Sequence, residues 1–149
     1  MGFRQWLMGF LRGGDGPVER DVDPLQEEAA GLNFRTAIEA HQKWKSRLRA
    51  VIDGTSEETL LPEVVSRDDQ CVLGKWIHGV GDQQFGHDHQ FKRLRHWHAH
   101  FHVCAGHVLT LAQAGETEAA LKDLNKGHYA KASMKVVQDL AQMYNRLKP

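Results

Sequence analysis

The sequence predicts an all-α protein: an antiparallel helical bundle of the four-helix type with a short second helix. Three observations carry that prediction. Apolar residues recur every three or four positions through long stretches ending near Ile52, Ala112 and Leu147. No stretch alternates apolar and polar residues for long enough to make a useful strand. Gly54 and Gly115 stand where the first two long runs stop, as helix ends require.

The elements follow in order. Met1 to Arg12 places Phe3, Trp6, Leu7, Phe10 and Leu11 on one side of a short amphipathic helix. Arg4 and Gln5 interrupt the apolar run, no small-residue cleavage site follows, and Trp6 stands where a myristoylation signal wants Ser or Thr. The segment is therefore read as neither a signal peptide nor a lipid-anchor site. A helix this short orders only on a surface, so those five side chains are candidates for contact with a partner, with the chain's own domain, or with a membrane interface. Residues 13–31 hold Gly-Gly-Asp-Gly-Pro and six acidic side chains against Arg20 alone, the composition of a flexible acidic linker.

From residue 32 to 149 the chain is expected to form one bundle. Phe34, Ile38, His41, Trp44, Leu48 and Ile52 share one side of the first long helix. Residues 54–67 look like a connection, and Asp68 is a candidate N-cap for a short helix ending at Gly79, with Cys71 in its first turn. Residues 81–86 are expected to be a loop before a long helix from about His87 to Ala114. A brief segment capped at Glu116 or Thr117 runs to Leu124, and a last amphipathic helix runs from Tyr129 to Leu147.

Composition narrows the functions. A chain of 149 residues is enough for one domain plus a tail, and its 19 basic residues balance 19 acidic ones, which leaves no nucleic-acid footprint. The 10 histidines are the anomaly. The 2 cysteines, Cys71 and Cys104, are too few for a disulfide framework and point to a reducing compartment, the cytoplasm, with peripheral contact at the inner membrane through residues 1–12 as an option.

Arg95 to Cys104 sets His96, His98, His100 and His102 on alternate positions of the long helix. A helix advances about 100° per residue, so His98 and His102 lie together on the face that carries Phe91, Leu94, Phe101 and Ala105. His96, His100 and His107 fall on the other side and are read as a solvated or inter-subunit face in preference to a second metal site, and Cys104 also points away from His98. Inward His41, His98 and His102 with Cys71 make one tetrahedral set, of a kind that suits zinc. The helix start is expected to favour the Cys71 thiolate. Taken singly, an inward histidine is a hydrogen-bonded core residue and a buried cysteine a small hydrophobe; on spacing alone the metal and core readings balance.

The stretches His41-Gln-Lys-Trp44, Cys71-Val-Leu-Gly74-Lys-Trp76 and His98-Ala-His-Phe101-His102 resemble the chemoreceptor zinc-binding (CZB) family, whose pattern is H-x-W, C-x-L-G-x-W and H-x-x-F-H on successive helices, the first stretch having two residues between His41 and Trp44 where the pattern has one. The resemblance implies a bacterial cytoplasmic bundle that holds one zinc per chain through His41, Cys71, His98 and His102. It also implies a sensory role toward zinc or oxidants of the hypochlorous acid type. Its partners would be a second copy in a homodimer and a signalling protein of the chemoreceptor or cyclic-di-GMP enzyme type. With no signalling hairpin or cyclase domain in view, the chain reads as a stand-alone member. Trp44, Trp76, Trp97 and Phe101 are expected to pack around the ligands. An enzyme is not expected, because four protein ligands close the shell that catalytic zinc keeps open. The competing reading is a structural zinc domain that works as an interaction module.

Overall fold

The computed structural model describes residues 28–149; Met1 to Arg12, with Phe3, Trp6, Leu7, Phe10 and Leu11, and the linker up to residue 27 lie outside the described residues. The first element is a small hairpin, in which Glu28–Ala29 (β1) pairs antiparallel with Leu32–Asn33 (β2) around Ala30 and Gly31, both at positive φ. Two-residue strands are too short to show alternation, so the sequence alone assigns residues 28–31 to the linker.

Asn33 also caps α1 (Phe34–Asp53), its Oδ1 accepting the Thr36 N–H at 2.9 Å. Beyond Gly54, the expected connection contains one helical turn, α2 (Pro62–Val65), opened by a proline whose missing N–H is no loss at a helix start. Two short helices follow, α3 (Val72–His78) and α4 (Val80–Phe85). α4 occupies the stretch expected to be a loop. Its Gly81 is buried against Trp76 and Phe91, so that glycine serves close packing and not a turn.

Asp88 caps α5 (His89–Gln113) by accepting the Phe91 N–H at 2.9 Å, and Arg146 binds the same carboxylate at 2.7 Å from the last helix. α6 (Thr117–Lys126) starts at Glu116 with no side-chain cap, and α7 (His128–Leu147) closes the described chain. α5 packs along α7, with α1 and α6 alongside both, giving the helical bundle that the periodicity predicts. Phe34, Ile38 and Leu48 from α1, Phe91, Leu94 and Phe101 from α5, and Val136, Leu140 and Met143 from α7 are all buried in one core. Each such side chain contributes about 1.5–3 kcal/mol by leaving water. α2 crosses α5, while α3 and α4 cover the hairpin end of the bundle through Leu73, Trp76 and Ile77. Val72, the first residue of α3, is 72% exposed, on the outer side of a helix buried on one face only. Among the described residues no helix is long and apolar enough to cross a membrane.

Candidate metal centre

α5 supplies two ligands from one face. His98 and His102, one turn apart, are both buried, and their Nε2 atoms approach to 3.2 Å. The His102 Nδ1–H donates to the Val65 carbonyl of α2 at 3.0 Å. A carbonyl only accepts, so the proton of His102 is fixed on Nδ1 and the Nε2 lone pair is left facing the site. α2 can reach this far into the bundle because α5 has Gly106 at the crossing; a Cβ there would come within 2.0 Å of Ser66 Oγ.

Cys71 arrives from the other side. It is itself the N-cap of α3, its Sγ accepting the Gly74 N–H at 3.2 Å. This corrects the expected register: Asp68 does not cap the helix, and instead binds His78 Nε2 at 3.0 Å across the turn. Gly74 has a steric reason to be glycine, since a Cβ there would lie 1.7 Å from the Asp68 carbonyl oxygen and push apart the turn that aims Cys71. Cys71 Sγ then stands 3.2 Å from His98 Nε2 and 3.6 Å from His102 Nε2. Around a tetrahedral zinc, ligand nitrogens are separated by about 3.4 Å and nitrogen from sulfur by about 3.6 Å, as follows from the usual bond lengths. The trio already has nearly those spacings, and its ligand atoms all lie within 4.8 Å of one another.

His41 does not join that tight group. It is buried beside it on α1, its ring centroid 5.4 Å from that of His98 and 6.2 Å from that of His102, and its Nδ1 has no hydrogen-bond partner among the described residues. Phe101 is fully buried between the layers, 4.4 Å from the His41 ring and 5.3 Å from that of His102. Trp44 is half-buried, 6.4 Å from the His102 ring and covered by the Arg47 guanidinium at 3.9 Å. Trp76 works further out, donating its Nε1–H to the Ala30 carbonyl at 2.8 Å and so tying α3 to the hairpin. Trp97 sits on another face, half-buried against His100.

Electrostatics keep the imidazoles ready to bind. Burial drives His98 down to about 2 and His41 down to about 3, helped by repulsion from the neighbouring histidines, and burial also lowers His102. All three are therefore neutral near pH 7, the form that ligates. Cys71 departs from expectation. Burial raises its thiol and outweighs the backbone N–H groups of Gly74 and Leu73, so the helix start alone does not yield a thiolate. A cation held by these residues would reverse that balance by supplying the missing positive charge.

Residues 41–109 match the family model of the chemoreceptor zinc-binding domain. The chain carries a CZB domain. The match begins on His41 itself and contains Cys71, His98 and His102, while the hairpin, α6 and α7 lie beyond it. No curated protein and no solved structure gives a significant match to the chain. The CZB assignment gives the Cys71, His98 and His102 cluster its meaning as a metal position, and the donor set fits zinc: one soft thiolate and borderline imidazoles at tetrahedral spacing. One feature of the site is not readable from sequence. The Val65 carbonyl has no side-chain signature, whereas a glycine three residues after a cysteine was a usable signal for the α3 turn.

Proposed function

We propose that this CZB domain is a non-catalytic sensory module holding one zinc per chain through His41, Cys71, His98 and His102. The observation that carries the reading is the convergence of Cys71 Sγ with two Nε2 atoms at 3.2 Å and 3.6 Å. A rotation of the buried His41 ring brings in the fourth ligand and satisfies a nitrogen that otherwise has no partner. Bound zinc would hold Cys71 as thiolate, the form that binds zinc and that oxidants attack. Oxygenation of that sulfur weakens its hold and frees α3, whose remaining ties to the bundle are Leu73, Trp76 and Ile77. Cys104 takes no part: it faces another side of α5, and both cysteines are free thiols.

In this reading zinc or an oxidant is the stimulus, the active unit is a homodimer, and output passes to a signalling protein of the chemoreceptor or cyclic-di-GMP enzyme type. Phe3, Trp6, Leu7, Phe10 and Leu11 provide the contact to that partner or to the cytoplasmic membrane surface. The test is graded hypochlorous acid on the zinc-loaded full chain, with released zinc and Cys71 oxidation read together. Parallel loss of zinc and oxidation of Cys71 supports the sensor. Zinc retained on a fully oxidised Cys71 contradicts it and favours a structural zinc module. Deleting residues 1–12 should leave zinc binding intact and abolish recruitment; loss of zinc would place that segment in the core.

A further inference from the structure

α5 carries a second group of ligand-type side chains away from the CZB site. His100, Cys104 and His107 are spaced i, i+4 and i+7, which places them within about 60° of one another around the helix. Cys104 is buried, with its Sγ 3.5 Å from His100 Nε2. One turn on, His107 Nε2 lies 3.9 Å from Asp123 Oδ2 of α6, too long for a hydrogen bond. The Asp123 side chain is only 13% exposed, and its Oδ1 accepts the Tyr129 N–H at 2.9 Å, so the carboxylate is held in place facing α5. Asp123 is also within electrostatic reach of Cys104. Tyr129 adds a phenol that is fully buried and has no hydrogen-bond partner among the described residues.

An ion pair between His107 and Asp123 would account for one half of this arrangement and not for the other. A histidine placed against a buried cysteine, a carboxylate placed against a second histidine, and all of them along one strip have a common explanation in a shared cation. We propose that His100, Cys104, His107 and Asp123 form a second zinc site, weaker than the first, which joins α5 to α6. Two neutral imidazoles, a thiolate and a carboxylate balance the charge of a zinc ion, and the mixture is within zinc's preference. Cys104 gives its proton to water on binding. The site is weaker because its two halves are not yet gathered: His107 is 59% exposed and must swing inward, losing rotamer freedom, before the set closes. A second, weaker site extends the range of zinc concentration over which the domain changes, and places the additional response in α6 and α7, outside the matched CZB residues.

Cobalt(II) is the probe, because each site contains one cysteine and thiolate-to-cobalt absorption reports each separately. The metal-free full chain should show two steps, the second requiring more metal. His107→Ala, at an exposed position that folding does not depend on, should weaken the second step by at least about tenfold, as losing even an outer partner does, and leave the first in place. Cys104→Ser should remove the second absorption step, and Cys71→Ser should remove the first and keep the second, whatever the fate of the sensory reading. A single step in the intact chain, or a second step unchanged in both His107→Ala and Cys104→Ser, overturns the proposal.

Discussion

Two faces of α5 carry the same residue types and reach different ends. On one, His98 and His102 are buried with their Nε2 atoms 3.2 Å apart, Cys71 Sγ stands 3.2 Å from the first and 3.6 Å from the second, and a carbonyl from α2 orients the second ring. On the other, His100 meets Cys104 at 3.5 Å while His107 stays largely in water, 3.9 Å from Asp123. The difference lies in what packs opposite. α1, α2 and α3 close over the first face and bring in His41, the Val65 carbonyl and Cys71, so its ligand atoms stand together. On the second face the carboxylate of Asp123 from α6 stands 3.9 Å from His107, and its two halves remain apart. Preorganisation, not the count of histidines, separates a tight site from a loose one.

Acid should break the first face hardest. His41 and His98, held at about 3 and about 2, and His102, lowered from its ordinary value, stay neutral in the folded metal-free protein while the unfolded chain takes up protons below about 6.5. The unfolded state then binds more protons, so stability falls as pH falls, by about 1.4 kcal/mol per pH unit for each fully engaged histidine, from about pH 6.5 down toward the folded values. Urea midpoints of metal-free protein at pH 7.5 and 5.5 measure this; equal midpoints would mean that these rings are not buried as neutrals.

Truncating the two faces should give the next contrast. Phe101→Ala removes a fully buried ring in contact with His41, His102 and Tyr129, and is expected to cost about 3–5 kcal/mol in urea denaturation. Val103→Ala, two positions on and 56% exposed, should stay within about 0.5 kcal/mol.

Crowding the supports should cost less than emptying the core at Phe101. Gly106→Ala forces Ser66 and α2 to move, at about 1–3 kcal/mol, and by shifting the Val65 carbonyl it should weaken zinc binding through His102 about 10- to 100-fold. Zinc affinity by chelator competition, beside a denaturation curve, separates the two effects. A destabilised variant with unchanged zinc affinity would show that the Val65 contact does not orient the ligand.

The helical period made much of this legible. The His98 and His102 spacing, the apolar stripe around them and the inward place of His41 follow from residue order alone, because side chains three and four apart share a helix face. Local chemistry that runs against habit was not legible. Cysteine is not among the usual capping residues, so the sequence points to Asp68 as the cap and puts Cys71 in the first turn; Gly81 and Gly86 read as loop residues although Gly81 packs inside α4. Contacts between distant segments were beyond reach as well. Nothing in the order of residues shows that Asp123 lies beside His107, that Val65 turns its carbonyl on His102, or that His41 stands just outside the trio it was grouped with.

The most direct measurement is zinc content and affinity of the full chain carrying His102→Ala, beside the same chain carrying His100→Ala. The two positions are neighbours on one helix and differ in the face they occupy. Preorganisation on the Cys71 side predicts that His102→Ala loses the tight equivalent, by more than the about 100-fold that an outer partner can cost, and that His100→Ala keeps it. A tight equivalent that survives His102→Ala, or that disappears with His100→Ala in a protein still folded, would contradict the assignment of zinc to this face.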